Sequence, residues 1–174
     1  MNTDKIILEN RFTTHQKISL LLYIGAPFII SIFALARIDL NYKGYLMLTL
    51  LILIYGLIIC LSFTKRGFIK YNSDLYRGLF FKDKLILKKR IDLTDRPKVS
   101  ILKHRKSQKL AFFSAAKPDL ATEFNSFDIN ILNDKHTKRE EIMSLKDKTN
   151  VEKTIQFLTL NFNLKNEIFS PDFR

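Results

Sequence analysis

The sequence predicts a membrane-anchored α+β protein: a hairpin of two apolar helices, then a domain of antiparallel strands closed by one C-terminal helix. Three observations carry this. Two uncharged runs of 19 residues stand in tandem, 18–36 and 45–63. From 64 to 145, apolar residues recur at a strand period, broken by short polar turns. From Thr149 the period turns helical behind an S/T-x-x-E signature, Thr149 to Glu152.

At 1.5 Å per residue, each uncharged run makes a helix of roughly 28 Å, close to the thickness of a bilayer's hydrocarbon core. A core helix of a soluble protein carries a polar stripe, whereas "YLMLTLLILIYGLIICLSF" is apolar all round. Eight residues, "RIDLNYKG", join the two runs. Pro27, inside the first run, predicts a disturbance of the helix near Ala26, tolerated in a membrane segment. Gly56 and Cys60 form a small-xxx-small pair expected to pack on the first helix, with the Cys60 thiol buried and inert.

Lys5, Arg11 and Lys17 precede the spans, and Lys65, Arg66, Lys70 and Arg77 follow them. The loop holds only Arg37 and Lys43. This bias places both termini in the cytoplasm and makes residues 1–17 a cytoplasmic arm of a multi-pass inner-membrane protein. A rival reading takes "ALA", at Ala34 to Ala36, as a signal-peptide cleavage site. The apolar run is longer than a usual signal core, and the acids Asp4 and Glu9 precede it.

The chain carries 29 Lys+Arg against 17 Asp+Glu, a net charge of +12. Such a balance points to polyanions: nucleic acid or an anionic membrane surface. From Lys65 to Lys109 there are 15 basic residues and four acids, and from Leu110 onward nine against ten. The basic surface therefore belongs to the part of the domain that follows the second span. With one cysteine, Cys60, no intrachain disulfide is possible.

In residues 64–174, "GFIKYN" and "LYRGLFF" flank a turn at "SD", and "KLILKKRIDL" follows "KD". "KVSILKHRK", "TEFNSFDINILN" and "EEIMSL" are further strands, with "SQKLAFFSAAKPDLA" ambiguous and "NEIFS" a final extended piece. Val151, Ile155, Leu158 and Phe162 give an amphipathic helix of about twelve residues. The tandem spans, "SFTKRGFIKYNSDLYRGLFF" directly after them, the later "FDINIL" and the capped helix from Asn150 resemble small membrane proteins of Bacteroidetes-type bacteria. In these a two-helix transmembrane hairpin is followed by a pleckstrin-homology-like (PH-like) domain. The resemblance implies a partly open antiparallel barrel of about seven strands plugged by the C-terminal helix, and a lipid-headgroup or protein-binding surface.

Catalytic patterns are not found. The five glycines form no phosphate-binding loop. His15, His104 and His136 lack metal-ligand spacing and read as surface histidines. Glu140 and Glu141 are adjacent on a strand and face opposite ways. Asp92 and Asp95 read as turn residues, and Ser114 lacks a nucleophile setting. The expectation is a non-enzymatic protein without cofactor or metal, whose partners are the lipid bilayer, its anionic headgroups or other membrane proteins, and not nucleic acid. Its candidate lipid-surface residues are Lys65, Arg66, Lys82, Lys84, Lys88, Lys89, Arg90, Lys103, Arg105 and Lys106. The alternative is an accessory subunit of a larger transport or envelope complex.

Overall fold

The computed structural model describes residues 3–108 and 122–172. The chain divides into two compact units. One comprises Met1–Glu9, Arg66–Phe80 and Leu85–Arg174, and the other Asn10–Lys65 with Phe81–Lys84.

The second unit holds two helices long and apolar enough to cross a membrane, Thr14–Ala36 and Tyr42–Ser62. Only 6% of the first hydrophobic window and none of the second is buried, unlike the core helix of a soluble protein. The first helix runs as α1 (Thr14–Leu20), a π-helical turn (Leu21–Gly25) and α2 (Ala26–Ala36). Pro27 lacks an N–H and stands at the start of α2, so the widened turn lies where its ring disrupts the ladder. Thr13 and Gln16 form a reciprocal capping box, with bonds of 3.0 and 3.1 Å. The second helix, α3 (Tyr42–Ser62), starts where Asn41 accepts from the Gly44 N–H at 2.9 Å. At the opposite end, the Arg11 N–H donates to the Thr64 carbonyl at 2.9 Å. There the Lys17 ammonium sits 4.9 Å from the centre of the Phe63 ring.

The two helices meet at Gly25, not at the expected Gly56–Cys60 face. A Cβ at Gly25 would lie 3.1 Å from the Tyr55 ring, and Phe28 stacks on Tyr55 at 6.1 Å between centroids. A Cβ at Gly56 would meet nothing within 4 Å, and Cys60 is exposed. A small-xxx-small pair permits close approach but does not demand it. Here the ring supplies the contact and the glycine yields to it.

Among its described residues, the first unit holds eight strands and one helix. β1 (Thr3–Asn10), β2 (Lys65–Tyr71), β3 (Asp74–Phe81) and β4 (Lys84–Ile91) form one sheet in the order β1-β2-β3-β4. β5 (Lys98–Gln108), β6 (Thr122–Leu132), β7 (Arg139–Leu145) and β8 (Lys165–Asn166) form a second, in the order β7-β6-β5-β8. β6 is antiparallel to β5 and β7, with a register shift between Ile129 and Asn130, and β8 runs parallel to β5. The core joins Phe68, Leu75 and Ile91 of the first sheet to Val99, Ile129, Ile131, Met143 and Leu145 of the second. α4 (Lys148–Phe162) adds Val151 and Leu158. This is an α+β architecture of the coarse kind expected.

Three local features differ from the sequence reading. The N-terminal arm contributes β1, whose Ile6 and Leu8 pack on the core. Its backbone comes so close that a Cβ at Gly67 would collide with the Ile6 carbonyl, so β2 needs glycine there. The β2–β3 turn sits at Asn72 and Ser73, one residue earlier than "SD", because Asn72 takes the positive φ of 55°. In the β3–β4 turn, by contrast, Lys82 and Asp83 both take positive φ, as a two-residue hairpin turn of this hand requires. α4 begins two residues earlier than Asn150. Asp147 is its cap and accepts from the Thr149 N–H at 3.0 Å, which displaces the Thr149–Glu152 box. Asn163, in the left-handed region, ends the helix.

Overpacking typically costs about 1–3 kcal/mol, so Gly25→Leu is expected to destabilise the helical hairpin by that much. Gly56→Leu should change stability by less than about 0.5 kcal/mol. Thermal unfolding of the detergent-solubilised variants, followed by circular dichroism, checks the contrast. Equal losses would remove the Gly25–Tyr55 contact from the account.

Candidate functional site

Nine of the ten candidate cations fall in three places, and Arg66 stands apart. Lys65, Lys82 and Lys84 belong to the helical unit, and all three are exposed. Lys82 lies in the β3–β4 turn and Lys84 opens β4, with the Lys82 ammonium 5.9 Å from the Phe81 ring centre. Lys88, Lys89 and Arg90 lie consecutively on β4, all exposed. Lys88 is held against two rings, 4.5 Å from Tyr71 and 4.9 Å from Tyr76, and Arg90 donates to Asp74 at 2.8 Å. Lys103 and Arg105 share one face of β5 in the second sheet, where Lys106 stands opposite Phe124. Arg66 is no surface cation: it is half-buried and ion-paired with Glu9 at 3.4 Å.

Glu9 is the residue that charge counting overlooked. Its two carboxylate oxygens accept from the Lys146 backbone N–H at 3.1 and 3.2 Å, beside the start of α4, while Arg66 of β2 faces it. One side chain thus ties β1 and β2 to the β7–α4 junction. Burial pushes its carboxyl above the usual value of 4.5, against the opposing pull of the Lys146 N–H and Arg66. Burial also lowers the Lys146 ammonium from 10.5, against the attraction of Glu9.

A polar cleft of about 170 Å³ opens on the second sheet, lined by Leu102, His104, Asp128, Asn130, Arg139 and Glu141. The Ser126 hydroxyl donates to Asp128 at 3.0 Å and shares a 2.8 Å bond with Ser144. His104 Nε2 is 3.6 Å from the other Asp128 oxygen. Ser126 faces an acceptor carboxylate rather than an imidazole base, so the group lacks the relay that activates a serine. Glu141 lines this cleft while Glu140 pairs with Arg96, so the adjacent acids face opposite ways. Among the described residues, no group of three or more His, Cys, Asp and Glu side chains is placed to hold a metal ion. Ser114 lies outside the described residues.

His136, expected at the surface, is buried at 6% exposure. Its Nδ1 accepts from the Ser170 N–H at 3.1 Å, which fixes the tautomer so that Nε2 donates to Glu167 at 3.2 Å. Phe169 stacks on the ring at 6.3 Å. This imidazole fastens the C-terminal segment to the β6–β7 turn. A hydrogen bond from Lys98 holds the Glu167 carboxyl below its usual 4.5. Thr94 does the same for Asp92, and Thr149 for Asp147, each from 3.8. Asp92 accepts both the N–H and the hydroxyl of Thr94, the turn role read from "DLTDRP".

No protein-family model, no curated protein and no solved structure matches this chain.

The folded state holds the Glu9 proton more tightly than the unfolded chain does. Its contribution to stability therefore falls as pH rises from 4.5 through the raised folded value. Asp92, Asp147 and Glu167 have the opposite sign: their contribution is present above their ordinary values and is lost as pH falls through the depressed ones. Glu9→Gln removes the first slope alone. Followed from neutral pH down to 4.5, the melting-temperature difference should shift in favour of the wild type. A difference independent of pH would mean that the Glu9 titration is not coupled to folding.

Proposed function

We propose that this chain is a non-enzymatic integral membrane protein. Both termini are cytoplasmic, and its basic, PH-like strand domain lies against the anionic headgroups of the inner leaflet. The observation that carries the reading is the exposed cation series Lys65, Lys82, Lys84, Lys88 and Lys89, three of which share a compact unit with the two apolar helices. Each Lys near an anionic surface contributes about 1 kcal/mol, screened within a Debye length of about 8 Å. The helices supply the anchorage, so the cations set orientation rather than recruit the domain.

The topology is supported by sheet order. β1 precedes both helices, β2 follows both, and the two strands are neighbours in one sheet. Hydrogen-bonded strands lie on one side of a membrane, which requires an even number of crossings between them. Cleavage after Ala36 would also remove Ile6, Leu8 and Glu9 from the domain. The PH-like assignment is supported by successive hairpins followed by one helix that packs Val151 and Leu158 on the core.

The accessory-subunit reading draws on a different feature. An apolar groove of about 410 Å³ runs along Tyr42, Tyr45, Leu46, Thr49, Leu50 and Leu53 of α3, shaped to take a partner helix. Native size analysis after gentle extraction separates the two: a lone protomer favours the lipid-docked module.

The docking test uses the full chain in nanodiscs of anionic or neutral lipid, with hydrogen exchange of the β3–β4 hairpin as readout. Protection should be greater on anionic lipid and fade with salt. It should weaken by about fivefold per lysine lost, the factor that corresponds to 1 kcal/mol, in Lys84→Glu and Lys89→Glu. Identical exchange on both lipids would sink the reading.

A further inference from the structure

β4 is the last strand of the first sheet, with one backbone edge facing no neighbouring strand among the described residues. On it Leu85, Ile86 and Leu87 are 44%, 47% and 59% exposed. Adjacent strand residues point to opposite faces, so Leu85 and Leu87 are uncovered on one side and Ile86 on the other. Three successive exposed apolar residues on a free edge form a sticky template unless something covers them. The next three residues are the cations Lys88, Lys89 and Arg90. Lys88 is committed to the Tyr71 and Tyr76 rings and Arg90 to Asp74, so Lys84 and Lys89 extend most freely.

We propose that Leu85, Ile86 and Leu87 enter the headgroup–acyl boundary of an anionic bilayer while Lys84 and Lys89 engage its phosphates, an inference that rests on the docking reading above. The charge is complementary to such a surface. The shape argues the same way, because among the described residues both faces and the edge of the strand are open, and a fluid interface can surround all three. A second copy would cover the edge, leave one face or the other exposed, and bring an identical set of cations alongside. Entry stops at the boundary, where water and phosphate oxygens can still satisfy the unpaired backbone groups of the edge.

The chain has no tryptophan, so a single introduced one reports alone. Ile86→Trp and Leu87→Trp, with Leu160→Trp on the exposed face of α4 as the control, are placed in the full-length protein in anionic or neutral nanodiscs. Each is measured with and without brominated acyl chains. On anionic lipid, positions 86 and 87 should shift to shorter emission wavelength and lose intensity to the brominated chains, whereas position 160 should do neither. A blue shift without quenching would mean that protein covers the strand, and would overturn the inference. Unquenched probes with docking still abolished by Lys84→Glu and Lys89→Glu would overturn insertion and leave surface docking standing. No dependence on lipid in either experiment would remove both.

Discussion

The strand domain depends on one half-buried carboxylate. Glu9 reaches from the first strand to the N–H that opens the junction of β7 and α4, and it faces Arg66 on the strand beside its own. A carboxylate is suited to that place. Lys146 stands just before the cap of α4, and the helix dipole favours negative charge near that terminus. Burial opposes the charge and the surrounding donors favour it, so the site holds a balance between two large terms. The β1 strand is thereby fixed at both its backbone and its side chain, although 137 positions separate Glu9 from Lys146.

That separation explains much of what the sequence concealed. The apolar helices were legible because their signal is local: an uncharged run is visible wherever the rest of the chain goes. The β3–β4 turn was legible because two positive-φ residues in a tight turn leave a short polar mark. β1 was not, since "TDKIILEN" is a brief mixed segment whose partner strand lies beyond two helices. The Thr149–Glu152 box pattern is conspicuous in the sequence, whereas Asp147 leaves no such mark. The geometry instead uses a simpler cap, with Asp147 accepting from Thr149. His136 looked superficial among polar neighbours because its covering partners, Glu167, Phe169 and Ser170, arrive from the far end of the chain.

The basic surface shows the same division. Counting charges located the cationic stretch but could not separate cations with an internal partner from those without. Arg66 is spent on Glu9, Arg90 on Asp74 and Lys88 on two tyrosine rings, while Lys84 and Lys89 extend from the edge of the sheet. The cleft around Asp128 was also hidden. Its only sequence mark is the alternation of Asp128 and Asn130 in "FDIN", which by itself reads as the wet side of a strand.

Because β1 and β2 are neighbours in one sheet, the helical segment is a loop inserted into a domain rather than a tail attached to it. A tail releases its cargo at a single break. A loop does not: cutting the backbone between α3 and β2 leaves β1 hydrogen-bonded in the sheet and still joined to α1, and cutting between β1 and α1 leaves β2 joined to α3. Shedding the domain from its helices therefore takes two cuts, one on each side.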